Sequence, residues 1–152
     1  MPRIARSAHV PHTAAEMYEL VRDIESYPEF LPWCSDARVL EQSETHQVAT
    51  VAIARSLKQS RFTTRNRLVP DRSIHVSLVD GPFRRLEGSW TFADIGDSGC
   101  RADLEVEFTF ASRLFATLMG PAFTRVCDSL VGAFLRRADA LYGVAGRRTV
   151  SE

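Results

Sequence analysis

S-R-L-F-A-T-L-M-G-P-A-F-T-R-V-C-D-S-L-V-G-A-F-L-R-R-A-D-A-L-Y, from Ser112 to Tyr142, decides how the rest of the chain is read. Apolar residues recur at Leu114, Leu118, Ala122, Val126, Leu130, Phe134, Ala138 and Leu141, in steps that suit one face of a helix. Phe115, Met119, Phe123 and Ala133 widen that face. Arg113, Arg125, Asp128, Arg136, Arg137 and Asp139 lie mostly off it. A helix of this length spans about 45 Å at about 1.5 Å per residue. It needs a long apolar partner, and the preceding segment reads as a sheet. Gly120-Pro121 falls near the end of the first third. Proline removes a backbone donor and crowds the preceding turn, so a bend or short break is expected there. Two uses are open: a gate between two helical pieces, or a fixed kink that wraps the helix round a curved sheet.

The partner sheet is clearest just upstream. Phe83–Ile95 and Cys100–Ala111 flank Gly96-Asp97-Ser98-Gly99 and alternate with period two. Leu86, Gly88, Trp90 and Phe92 face one way, as do Cys100, Ala102, Leu104, Val106, Phe108 and Phe110. Arg85, Glu87, Ser89 and Thr91 face the other, with Arg101, Asp103, Glu105, Glu107 and Thr109. Such alternation means one buried face and one wet face. Gly88 in mid-strand predicts a bend or a close approach. Further upstream, Ala37–Glu41, Gln47–Ala54, Phe62–Val69 and Ser73–Val79 are joined by short turns, so the sheet is antiparallel. Phe62, Thr64, Asn66 and Leu68 alternate with Thr63, Arg65, Arg67 and Val69. If the first set faces inward, Thr64 and Asn66 are buried polar groups in need of partners. They are then candidate contacts for the polar head of a ligand. The other open reading places them at a wetted edge of the sheet.

Residues 3 to 10 read as a strand stopped by Pro11. Thr13-Ala14-Ala15-Glu16 is a capping box, and Met17, Leu20, Val21 and Ile24 follow at helical spacing. That helix ends before Pro28, and a new turn of helix can start there. Y-P-E-F-L-P-W-C, residues 27 to 34, sets Tyr27, Phe30, Leu31 and Trp33 around two prolines. It is either a plug for one end of the core or the rim of a ligand pocket.

The chain has 152 residues, which suits one domain, with a core over about 3–143 and a flexible tail over 144–152. Nineteen basic and nineteen acidic residues cancel, so no global field draws the protein to nucleic acid or anionic membrane. Three cysteines without a C-x-x-C pair argue against a disulfide framework and a structural zinc site. No apolar run has the length of a signal peptide or a membrane span. A cytoplasmic protein is expected, peripheral to the inner membrane at most. No catalytic motif is present, no metal site is expected, and the four histidines fall in separate segments. His9 and His12 flank Pro11, where a surface position is expected. Arg55, Lys58, Arg61, Arg65 and Arg67 form a basic run with no acid between them. It is a candidate contact for phosphates of RNA or lipid headgroups, or else a solvated sheet face.

The order strand, two short helices, six antiparallel strands and long helix is the α+β helix-grip layout. D-I-E-S-Y-P-E-F-L-P-W-C (Asp23–Cys34), D-G-P-F-R-R-L-E-G-S-W-T-F (Asp80–Phe92) and G-A-F-L-R-R-A-D-A-L-Y-G (Gly132–Gly143) closely resemble the coenzyme Q-binding START-domain family. Similarity to polyketide cyclases is at fold level only. The resemblance implies a START/Bet v 1-like domain, a bent sheet wrapped round the C-terminal helix. It also implies a non-enzymatic role with no required cofactor. Members of that family are lipid chaperones that hold ubiquinone or a related isoprenoid in support of respiration. Others are toxins that bind the large ribosomal subunit and block subunit joining. DNA is not an expected partner. With an isoprenoid as ligand, the candidate cavity residues are Trp90, Phe92, Leu104, Val106, Phe108 and Phe110 from the sheet. Leu118, Ala122, Val126, Leu130 and Phe134 supply the helix side, and Phe30, Leu31 and Trp33 the mouth.

Overall fold

The computed structural model describes residues 3–53, 60–97 and 99–143. Strand β1 (Arg3–Val10) leads into helix α1 (Ala14–Arg22) and a 3-10 helix (Ile24–Glu29). Strands β2 (Cys34–Gln42), β3 (His46–Ile53), β4 (Ser60–Val69), β5 (Ser73–Asp80), β6 (Phe83–Ile95) and β7 (Gly99–Phe110) follow, and helix α2 (Arg113–Tyr142) completes the fold. The strands make one sheet in the order β1-β7-β6-β5-β4-β3-β2, each neighbouring pair antiparallel. Helix α2 packs on β7 and β1 and against α1.

Local chemistry sets the element ends. Thr13 Oγ1 accepts from the Glu16 amide at 3.1 Å, and Glu16 Oε1 accepts from the Thr13 N–H at 2.9 Å. Both donors would otherwise be unpaired at the start of α1. Ser112 Oγ caps α2 by accepting from the Phe115 N–H at 3.1 Å. Gly143 closes it at φ +80°, a conformation that favours glycine. The 3-10 helix begins at Ile24 rather than Pro28 and contains the proline. Its turn closes with the Phe30 N–H donating to Tyr27 O at 3.2 Å, a bond that needs no donor from Pro28.

Three sequence expectations are corrected. The break at Gly120-Pro121 is absent, because α2 runs unbroken through Pro121. Pro121 lies on the exposed side, where solvent can satisfy the carbonyl that loses its donor. The buried line of α2 is Met119, Phe123, Cys127, Val131, Phe134 and Ala138, while Leu114, Leu118 and Leu141 are exposed. The expected line advanced by six successive steps of four from Leu114 to Ala138. At 3.6 residues per turn each such step overshoots by about 40°, so the line winds about 240° round the helix. His12, expected at the surface, is buried, with Nε2 2.8 Å from Asp139 Oδ1 on α2.

The alternation of β6 and β7 holds: Leu86, Trp90, Phe92, Cys100, Ala102, Leu104, Val106, Phe108 and Phe110 are all buried. Phe83, out of phase with Leu86, is buried as well, because a bulge between Phe83 and Arg85 shifts the register. Strand β4 lies inside the sheet between β3 and β5, so Thr64 and Asn66 are not at an edge. Both are buried.

Candidate functional site

Helix α2 grips the sheet through two phenylalanines. Phe123 and Phe134 are eleven residues apart, about three turns and about 16 Å along the axis, so they project from nearly the same face. Around Phe123 gather Phe108, Phe83, Phe110 and Phe62, with ring centroids at 4.8, 5.1, 6.0 and 6.3 Å. Around Phe134 gather Phe30, Tyr27 and Trp90, at 5.3, 5.4 and 5.4 Å. The stretch between carries Val126, Cys127, Leu130 and Val131, none of them aromatic.

A cavity of about 140 Å³ opens there. Val126, Cys127 and Leu130 form its helix side, with Phe123 and Phe134 at the ends. Leu86, Gly88, Ser89, Trp90, Leu104 and Val106 supply β6 and β7, and Val51, Phe62, Thr64, Asn66 and Val76 supply β3 to β5. Ile24, Tyr27 and Trp33 close one end. Gly88 is there by close approach: a Cβ at this position would sit 3.2 Å from Glu105 O. An open groove of about 540 Å³ adjoins the cavity, lined by Pro32, Ile53, Met119, Ala122, Arg125 and Ser129. It shares Trp33, Phe123 and Val126 with the cavity, so these three side chains partition the two spaces.

One wall is polar and internally matched. Thr64 Oγ1 donates to Asn66 Oδ1 at 2.9 Å, and Asn66 Nδ2 donates to Gln47 Oε1 at 2.9 Å. Gln47 Nε2 donates onward to Gln42 Oε1 at 3.0 Å and to Arg22 O at 3.2 Å. Each partner fixes the next, which holds Asn66 in one orientation. Thr64 Oγ1 keeps acceptor capacity, and Asn66 Nδ2 keeps one hydrogen beyond these bonds.

No lining residue among those described is a carboxylate, imidazole, lysine or arginine. The titratable groups present are held neutral. Burial pushes the Cys127 thiol up to about 12. Burial also raises Tyr27, whose hydroxyl donates to Val21 O at 2.6 Å. The cavity can hold and orient a neutral molecule, and it offers no base or acid poised near neutral pH. Among the described residues no group of three metal-ligating side chains occurs.

Of the candidate cavity residues, Trp33, Trp90, Leu104, Val106, Val126, Leu130 and Phe134 line the cavity, as do Thr64 and Asn66. Seven do not. Phe30 packs outside Phe134, under the Arg137 guanidinium at 4.8 Å. Leu31 is core. Phe92 packs against Tyr18 and Trp90. Phe108 and Phe110 belong to the Phe123 cluster, Ala122 lines the groove, and Leu118 is 54% exposed. The misplacement on α2 follows from the winding line described above. Phe108 and Phe110 point to the correct face, but beyond the cavity's end. Sequence reading left Ile24, Val51, Phe62, Val76, Leu86, Gly88, Phe123 and Cys127 out of the cavity and Gln47 out of the wall behind it, and it assigned Ser89, a lining residue, to the wet face. The parity of β4 could have found Phe62, but nothing local marks Gln47 as buried.

On the outer face, Arg61, Arg65 and Arg67 are exposed. Arg61 meets Asp36 at 3.3 Å. Arg67 is flanked by His46 on β3 and His75 on β5. No ion pair engages Arg65 or Arg67 among the described residues. Arg55 and Lys58, the rest of the basic run, lie outside the described residues, as do Ala54 and the tail over 144–152.

An antiparallel sheet gripped by one long helix, with an apolar cavity between them, is the START-like helix-grip fold. The chain belongs to the polyketide cyclase / dehydrase and lipid transport family, whose pattern matches residues 10–135. It is 44% identical over 143 residues to the ribosome association toxin RatA of Vibrio cholerae serotype O1, covering 94% of this chain and 99% of that one. It is 30% identical over 133 residues to the mitochondrial coenzyme Q-binding protein COQ10 homolog B of Xenopus laevis, covering 84% of this chain and 54% of that one. The fold matches the crystal structure of the Zhui aromatase/cyclase from Streptomyces sp. R1128 with a TM-score of 0.81 at 18% identity, over 95% of this chain and 98% of that one. Among the described residues no helix is long and apolar enough to cross a membrane.

Proposed function

We propose that the protein binds the ring of a quinone-type isoprenoid, ubiquinone or a close analogue, in the cavity between sheet and α2. It carries that ligand unchanged, in support of respiratory electron transport. The observation that carries the reading is the cavity: ring-sized, apolar, and faced by one neutral polar pair. An engineered apolar cavity of about 150 Å³ accepts benzene, which sets the scale for a space of about 140 Å³. The cavity is shorter than a polyisoprenoid, so the tail runs outward along the groove. The coenzyme Q-binding relative supports this ligand class. The test is solvent extraction and mass spectrometry of protein purified from cells with their own membranes. Wild type should yield about one isoprenoid quinone per chain, and Leu130→Trp, which fills the cavity, should yield none. A folded wild type free of isoprenoid would overturn the reading.

A second reading, ribosome association, is favoured by the 44% identical relative and by Arg65 and Arg67, which no ion pair engages among the described residues. It places an RNA contact on the outer face of β4, away from the cavity, so the two roles are compatible. Phosphate contacts are salt-sensitive. Arg65→Glu/Arg67→Glu should abolish co-sedimentation with ribosomal subunits at low salt. Unchanged co-sedimentation would rule out this face.

A further inference from the structure

Trp33 stands where cavity and groove meet and lines both. Its indole Nε1 is buried and has no hydrogen-bond partner among the described residues. An indole N–H can only donate. A buried donor without a partner is costly, and a structure rarely tolerates one without a use for it. Thr64, Asn66 and Tyr27 line the same cavity, yet none of them accepts from this N–H; their hydrogens go to Asn66, Gln47 and Val21 O.

We infer that the Trp33 indole N–H is the polar anchor of the bound ligand, donating to an oxygen acceptor on its ring at the junction of cavity and groove. This rests on the carrier reading and adds the chemistry the ligand must present. The ligand carries a carbonyl or ether oxygen on an otherwise apolar ring, and its apolar tail leaves past Trp33 into the groove. A hydrocarbon of the same shape would leave the donor unpaired. Specificity for an oxygenated ring over a plain isoprenoid thus resides in one N–H.

The test compares wild type with Trp33→Phe, which keeps an aromatic ring and removes the donor. The probes are decylubiquinone and decylbenzene, titrated by calorimetry. Loss of one hydrogen bond should weaken decylubiquinone binding about tenfold, with decylbenzene binding unchanged. A fold-independent readout accompanies it: of the two indole N–H signals in a nitrogen–proton correlation spectrum, the one absent from Trp33→Phe should move downfield with decylubiquinone and stay put with decylbenzene. The remaining Trp90 signal reports whether the variant is folded. If Trp33→Phe binds decylubiquinone as tightly as wild type and the indole signal is unmoved, the anchor assignment is overturned while the carrier reading stands. If wild type binds neither probe, both are overturned.

Discussion

The Phe123 end of α2 and the stretch just beyond it, from Val126 to Leu130, face the same sheet and behave oppositely. At Phe123 four rings close within 6.3 Å and the helix is locked down. One turn on, the side chains are smaller and a cavity opens. Protein interiors are normally close-packed, so the hollow is the feature that calls for explanation. It arises because Phe123 and Phe134 act as two spacers on one face and nothing between them reaches as far. Aromatic packing is concentrated at the spacers, and the open space lies in the gap.

The largest effect expected from this contrast is at the closed end. Phe108→Ala removes a fully buried ring from the Phe123 cluster and should cost about 3–5 kcal/mol, measured by chemical denaturation, with little change in ligand affinity where the variant still folds. A comparable loss of affinity would erase the distinction between the two regions. Next comes the polar wall. Asn66→Leu strands the Gln47 acceptor and should cost about 1–3 kcal/mol, whereas replacing Gln47 and Asn66 together by leucine should cost less than the single change. Both versions should bind quinone more weakly. At the gap itself, Leu130→Phe should change stability by less than about 1.5 kcal/mol and still exclude the ligand, since the space it fills already exists.

How far the contrast was legible beforehand differs between the two regions. Strict alternation in β6 and β7 identified Trp90, Leu104, Val106, Phe108 and Phe110 as inward, because period two is unambiguous on a half-buried sheet. The helix was harder. Steps of four look periodic in a list yet wind round the axis, so they put Leu118 on the apolar line and leave Phe123 beside it. The wall of Thr64, Asn66 and Gln47 depends on β3 pairing with β4 in one register, which brings Gln47 opposite Asn66. That pairing is tertiary information. So is the bulge that turns Phe83 inward.

Solution pH should sharpen the same contrast more gently. Burial raises Cys127 from 9.0 to about 12, and Cys34 and Cys100 from 9.0 to about 11. The unfolded chain releases these protons from about pH 9, and the folded chain keeps them. Stability is therefore fully present below about pH 9 and falls through about pH 12. Denaturation midpoints across that range should decline, and Cys127→Ala should flatten part of the slope. The smallest effect belongs to the outer face: Arg65→Glu/Arg67→Glu should leave stability within about 0.5 kcal/mol, so that any lost ribosome binding is read as contact rather than unfolding.

Both tryptophans of the chain, Trp33 and Trp90, line the cavity, so their emission reports its occupancy directly. The decisive measurement is a decylubiquinone titration of wild type and Leu130→Phe, followed by tryptophan fluorescence. Quenching that saturates at one equivalent in wild type and is absent from the folded variant is the predicted result. Equal quenching in both proteins, or none that saturates, would contradict the claim that the gap between the two aromatic spacers is the binding site.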